Sequence, residues 1–269
     1  MTFILDQIIA HKRRELAVKK QALPLEVLQQ MPACTRPCYS LKQALLQPAS
    51  SGIIAEHKRK SPSKGYFASA LPLEQIVAGY AQYGAAAMSI LTDMTFFGGA
   101  SEDLLVARAQ TSIPLLRKDF IIDAYQVYEA RAMGADVILL IAECLEKHEI
   151  QSLSALAHEL GMEVLMEVHS REQLDKLSSH IDLVGINNRD LRTFEVHLDR
   201  SFELVREISP AIPVVAESGI HHPQIIAALR EAGCKGFLIG ERFMHQPDPV
   251  SAFREFMQQL SQNPTHAQA

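Results

Sequence analysis

Charged and amide side chains stand at the ends of short apolar runs along most of this chain: Glu56 and Lys58, Lys118, Glu167, Asn187 with Arg189, and Glu217. A run that is buried along its length delivers only its last residues to a ligand, so proton transfer and anion binding are expected at these positions. Glu56 and Lys58 lie two apart in AEHKRKSPS, and on a strand they point the same way. An inward lysine needs an anionic partner or a chemical task. Arg59, next in line, is expected to sit in a solvated basic loop. Lys118 ends LLRK and is followed by Asp119 and Phe120. An amine beside an aromatic is expected to have a depressed pKa and to donate a proton near neutral pH, with a surface ion pair to Asp119 as the alternative. Glu167 in VLMEVH, Asn187 and Arg189 in GINNRDL, and Glu217 in VAESGI close three further runs. Three glutamates and two lysines converging from four strands, with Asn187 and Arg189 from a fifth, argue for function, because burying a charge without use costs several kcal/mol unless it is well paired.

The elements that must position these groups are eight short apolar runs: Ile53 to Ala55, Ala87 to Leu91, Ile113 to Leu116, Val137 to Ile141, Val164 to Met166, Leu183 to Ile186, Ile212 to Ala216 and Gly236 to Ile239. Several are rich in β-branched residues, as strands buried on both faces should be. Segments with helical periodicity lie between them, such as Glu74 to Tyr83, Ala124 to Met133, Lys147 to Leu160 and Pro223 to Ala232. Gly84, Gly134, Gly161 and Gly233 fall just past their last turns. Strand and helix in alternation mean parallel pairing with right-handed crossovers, and eight units over residues 49–260 predict an α/β fold, a closed (β/α)8 TIM barrel. An open doubly wound sheet is the alternative. Its G-x-G-x-x-G turn is missing after the first strand, where a lysine-rich loop stands instead.

The 269 residues are 48% hydrophobic with a formal net charge of −5, which supports one enzyme-sized domain and gives no general attraction to nucleic acid or an anionic membrane. No apolar stretch approaches the roughly 20 residues that span a bilayer. The N-terminal MTFILDQIIAHKRREL places its charges after its apolar residues, the reverse of a secretory signal, and reads as an amphipathic helix with Ile4, Leu5, Ile8, Ile9 and Leu16 near one face. A cytoplasmic location is expected. Residues 1–48 are too short for a domain and are expected to form one or two helices over the open end of the barrel, while 261–269 form a polar, flexible tail. Cys34, Cys38, Cys144 and Cys234 do not make a disulfide framework, and Cys34 with Cys38 lacks the second pair that a metal site needs. His221 and His222 read as the start of a helix rather than as ligands.

Two loops add a wall and a cradle. LTDMTFFGGASEDLL carries Phe97, which offers either a flat apolar wall or a packing anchor, then glycines that permit close backbone approach and a helix capped near Ser101. Ser218-Gly219 after the seventh run and Gly240 after the eighth suit the phosphate cradle that barrels build from these loops, though they could also simply make tight turns.

AEHKRKSPSKG, LTDMTFFGG, LLRKDF, LMEV, GINNRDL, VAESGI and FLIGERFM, in this order and spacing, resemble the indole-3-glycerol phosphate synthase family of tryptophan biosynthesis. The N-terminal ILDQIIAHKRREL is similar to the extra helix of that family. The resemblance implies ring closure of the small phosphosugar 1-(2-carboxyphenylamino)-1-deoxyribulose 5-phosphate with loss of carbon dioxide and water, and no cofactor. It implies Lys118 as general acid toward the ketone oxygen, Lys58 at the substrate carboxylate and in proton transfer, and Glu167 as acid/base in dehydration. Glu56 and Glu217 would orient the lysines and bind hydroxyls, and Asn187 and Arg189 would steer the substrate. Lys60, Ser218, Gly219 and Gly240 would hold the phosphate, and Phe97, Phe120 and Leu139 the aromatic ring. Glu241, next to Gly240, fits a phosphate site only with its carboxylate turned away. Two other readings use the same residues: a Schiff-base aldolase, and a phosphosugar-binding barrel without catalysis.

Overall fold

Eight parallel strands close into a barrel among the residues that the computed structural model describes, 3–67, 69 and 71–262. They are β1 (Ile53–His57), β2 (Ala87–Leu91), β3 (Leu115–Lys118), β4 (Val137–Ile141), β5 (Glu163–Val168), β6 (Leu183–Asn187), β7 (Val214–Glu217) and β8 (Gly236–Ile239). Each pairs with its neighbours in chain order, and β1 closes the ring on β8 with Ile54 opposite Leu238. The third and seventh strands begin two residues later than their apolar runs suggest. Pro114 and Pro213 explain this: each offers its carbonyl to the neighbouring strand, to Met88 N and Val184 N, but has no N–H to extend the ladder. The shift brings Lys118 and Glu217 inside the strands.

Period-two alternation then sorts the side chains. Ile53, Ala55, Leu115, Val164 and Met166 pack outward against the helices. Ile54, Leu116, Leu165 and Val215 fill the barrel interior. The residues two further on are Glu56, Lys118, Glu167 and Glu217, so the inward column of each strand ends in its ionisable group.

The chain begins with α1 (Ile4–Ala22), α2 (Leu25–Gln29) and α3 (Leu41–Leu46). Only α1 lies over the mouth. Its Ile8 joins the interior cluster from above, and its buried Lys12 reaches Asp93 at 2.9 Å and Asp119 at 3.1 Å, on the loops after β2 and β3. By contrast, α3 closes the other end: Leu41 and Leu45 join the same interior cluster, and a Cβ on Gly236 at the start of β8 would lie 2.8 Å from Leu45. Glu163, at the start of β5, accepts from Ser40 and from Lys42 N, which fixes the plug. The extension therefore holds both ends of the barrel, not the open one alone.

The helices between strands are α4 (Leu73–Gln82), α5 (Met94–Phe97), α6 (Glu102–Gln110), α7 (Ala124–Ala132), α8 (Lys147–Glu159), α9 (Asp199–Leu204), α10 (Pro223–Ala232), α11 (Glu241–Met244) and α12 (Pro249–Ser261). Ser261 closes α12, and the remainder of the expected tail, 263–269, lies outside the described residues. Among the described residues, no helix is long and apolar enough to cross a membrane.

Candidate active site

Lys118 stands at the centre of the mouth, its Nζ 2.6 Å from Glu167 Oε2 and 3.0 Å from Glu217 Oε2. Asn187 donates to the other oxygen of Glu167 at 3.2 Å. Across the ring, Lys58 donates to Glu56 at 2.5 Å. The electrostatics reverse the expectation for Lys118. Burial beside Phe120 would by itself lower its pKa, but Glu167, Glu217 and Glu56 outweigh burial and hold the ammonium well above the ordinary lysine value. Burial likewise opposes ionisation of Glu167, yet the charge and hydrogen bond of Lys118, with a hydrogen bond from Asn187, keep this carboxyl below the usual range. Glu217 goes the other way. Burial pushes it up, and the charge of Glu167 adds to the shift against the pull of Lys118. The cluster thus contains an ammonium, a carboxylate and a carboxyl group inclined to keep its proton.

An apolar slot adjoins these charges. Phe97 and Phe120 face each other with ring centroids 6.1 Å apart, and Leu139 lines the same cavity. Ile4, Leu5 and Ile8 of α1 complete it, a contribution that the helical pattern alone did not reveal. A Cβ on Gly99 would sit 1.9 Å from the carbonyl oxygen of Leu91, so the expected close backbone approach occurs there. Ser101 holds the N-cap position of α6 as expected, but its side chain makes no cap bond: it donates to Glu129, while Asp103 accepts from Ala100 N.

The opposite side of the cavity presents backbone. Ser218 and Gly219 are consecutive residues at positive φ, 65° and 82°, a left-handed turn that costs the non-glycine Ser218 backbone strain. Both line the cavity, as does Gly240. Gly240 has an ordinary negative φ, so its role is space: a Cβ there would lie 2.5 Å from Glu56 Oε1. The Glu241 carboxylate receives Arg189 at 3.1 Å and lies 3.8 Å from Lys64.

The indole-3-glycerol phosphate synthase family model matches residues 5–256. A protein of that name from Bacteroides thetaiotaomicron is 46% identical over 260 residues, covering 97% of this chain and 100% of that protein. Another from a Polaromonas species is 45% identical, covering 95% of this chain and 98% of its own. The chain belongs to the indole-3-glycerol phosphate synthase family. A 3-hexulose-6-phosphate synthase from Salmonella typhimurium shares the fold alone, with 14% identity and a TM-score of 0.62 over 78% of this chain and 99% of that one.

Most of the positions that the family resemblance singles out meet at this mouth: Glu56, Lys58, Phe97, Lys118, Phe120, Leu139, Glu167, Asn187, Arg189, Glu217, Ser218, Gly219 and Gly240 all line one cavity. Lys60 does not. It sits on a short hairpin, paired with Tyr66, and its ammonium stands 5.2 Å from the Tyr66 ring, while Ser61 and Ser63 of the same loop line the cavity. Arg59 is not free in solvent either. It forms a two-pronged ion pair with Asp103 and donates to the carbonyl of Gly98 at 3.0 Å, pinning the β1 loop to the β2 loop. His222 precedes α10 as expected, whereas His221 lines the cavity. Cys34 and Cys38 turn toward the carbonyls of Leu28 and Ala135.

Other residues of this family member escaped the sequence reading. Asn188, fully buried, donates to the carbonyls of Glu217 at 2.9 Å and Ser218 at 3.1 Å, and so holds the strained turn at Ser218 and Gly219. Arg117 and Asp119 face outward on either side of Lys118 and build a buried network with Lys12 and Glu129. Burial opposes the charge on Asp119, but Arg117 and Lys12 hold its carboxyl far below the usual range. The signal was present: Arg117 and Asp119 are two apart, in the opposite phase to Lys118.

Proposed function

We propose that this chain closes 1-(2-carboxyphenylamino)-1-deoxyribulose 5-phosphate to indole-3-glycerol phosphate, acting as a carboxy-lyase in tryptophan biosynthesis. The observation that carries the residue roles is the Lys118 ammonium, held between Glu167 and Glu217 and bordered by the apolar slot and by the backbone cradle. The ring lies between Phe97, Phe120 and Leu139, and the phosphate meets Ser218, Gly219 and Gly240. Lys58 receives the substrate carboxylate, Glu56 orients Lys58, and Arg189 with Asn187 steers the sugar.

The aromatic carbon that bears the carboxylate attacks the ketone carbon, and the oxygen takes a proton from Lys118 as charge develops on it. Carbon dioxide then leaves, and its bonding electrons restore the ring system. Once Lys118 has given up its charge, nothing holds Glu167 ionised in its buried position, so its pKa rises and it takes a proton. Glu167 passes that proton to the departing hydroxyl, which leaves as water, and the neutral amine of Lys118 removes the carbon-bound proton. Remote phosphate binding lowers the barrier by fixing this geometry. A Schiff-base aldolase would need a neutral lysine, which the Glu167 carboxylate beside Lys118 disfavours.

The reading includes a cytoplasmic enzyme with a small phosphosugar substrate and neither a nucleic-acid nor a membrane partner; the formal net charge of −5 supports it. Incubation with the carboxyphenylamino-deoxyribulose phosphate should produce indole fluorescence, and borohydride should trap no covalent adduct. A dead protein that still binds substrate would favour the binding barrel, and a trapped adduct the aldolase.

A further inference from the structure

The proposed reaction has a proton deficit. A carboxylate leaves as neutral carbon dioxide and a hydroxyl leaves as water, so each turnover consumes one proton beyond those that Lys118 lends and recovers. In the mechanism above that proton enters at Glu167, whose side chain is 2% exposed, one oxygen facing Lys118 and the other Asn187. Glu167 also lines the cavity, so bound substrate covers its open side and leaves solvent no direct way onto it during turnover.

His169 lies two residues beyond Glu167, in the same phase, just past the end of β5. Its Nε2 is 3.5 Å from Glu167 Oε1, and its side chain is 9% exposed, so it stands outward of the carboxylate. Among the described residues neither ring nitrogen has a hydrogen-bond partner, an uncommon condition for a buried imidazole. The backbone is nevertheless fixed: His169 N donates to Gln173 at 2.7 Å, and Gln173 is held in turn by Glu143. The ionisable groups facing the ring are Glu167 on the same strand, Arg200 of α9, Glu143 after β4 and Lys118 of β3.

We propose that His169 is the relay through which Glu167 takes up the solvent proton consumed in each turnover. It acts through Glu167 and touches no reacting atom, and the assignment rests on the acid/base role of Glu167. Burial, with Arg200 and Lys118 adding to it against Glu167 and Glu143, lowers the imidazole pKa and keeps the ring neutral at pH 7. A neutral imidazole accepts a proton on one nitrogen and releases one from the other. Closing the 3.5 Å separation by a few tenths of an ångström brings Nε2 within hydrogen-bond reach of Oε1.

His169→Ala and His169→Gln test this in the full-length chain. Both are expected to lose about tenfold or more in kcat, as for a proton-transfer group, with KM changed by less than about twofold. Added imidazole should restore kcat in His169→Ala, and the smaller primary amine methylamine, of higher pKa, should not. Glutamine can donate to Glu167 but cannot relay a proton, so His169→Gln reads the relay even if His169→Ala folds poorly. Parental kcat in a folded His169 variant, beside an inactive Glu167→Gln, would overturn the relay alone. Substantial kcat in Glu167→Gln would overturn the role of Glu167 and the relay with it.

Discussion

A Cβ on Gly185 would lie 2.3 Å from Glu217 Oε1. Gly185 faces inward on β6 beside β7, and its missing side chain is the space that the Glu217 carboxyl occupies next to Lys118. Gly185→Ala should therefore displace Glu217 and disturb the pair with Lys118. We expect a folded barrel with kcat reduced by about tenfold or more, as when a catalytic group is misplaced by about 1 Å. Parental kcat with a parental melting curve would show that the position of Glu217 is unimportant to the chemistry.

Lys118→Ala should abolish ring closure and leave phosphate-dependent binding largely intact, because the amine acts on the developing oxyanion while the cradle lies on other loops. Retention of more than about a tenth of kcat, a loss of under roughly 1.4 kcal/mol, removes Lys118 from the acid role. Stopped-flow fluorescence separates the two steps.

The shifted carboxyls predict opposite responses of stability to pH. Glu217 is raised, so the folded state binds the extra proton, and its contribution falls as pH rises from the unfolded value of about 4.3 through the folded one. Asp119 is depressed, so its contribution is present above the unfolded value of about 3.9 and is lost as pH falls through the folded one. Glu217→Gln should then gain melting temperature relative to the parent as pH rises from 5 to 8. Asp119→Asn should be less stable than the parent at pH 7, with the difference shrinking in acid. Thermal melts across pH check both; a constant difference between Glu217→Gln and its parent would refute the raised carboxyl.

Gly240→Asp introduces a carboxylate beside the backbone groups proposed to hold phosphate and a Cβ against Glu56. KM should rise by about tenfold or more, since both electrostatics and sterics oppose the anion. Inorganic phosphate should compete with substrate in the parent and lose that ability in the variant. Absence of competition in the parent at millimolar phosphate would place the phosphate elsewhere.

Removing 1–23 and removing 1–46 should differ. The shorter deletion takes away the roof made by Ile4, Leu5 and Ile8, so KM should rise while the barrel stays folded. The longer one also removes Leu41 and Leu45 from the base of the interior, each worth about 2–5 kcal/mol by analogy with buried leucine truncations. Denaturant titration should show a much larger loss for 1–46; equal losses would mean that α3 is not a plug.

The period-two and helical patterns determined the barrel, because burial on both faces demands apolar runs and parallel pairing demands a helix between them. They also determined that Glu56, Lys118, Glu167 and Glu217 share the mouth, since each ends such a run. Charge state was beyond them. Phe120 beside Lys118 suggested a depressed amine, but the pKa follows Glu167 and Glu217, which are 49 and 99 residues away in the chain. Tertiary structure alone likewise placed α3 beneath the barrel, turned Lys60 onto Tyr66 and set Gly185 against Glu217. Each depends on a distance between remote segments, and the spacing of residues along a strand encodes which face a side chain takes but not what it meets there.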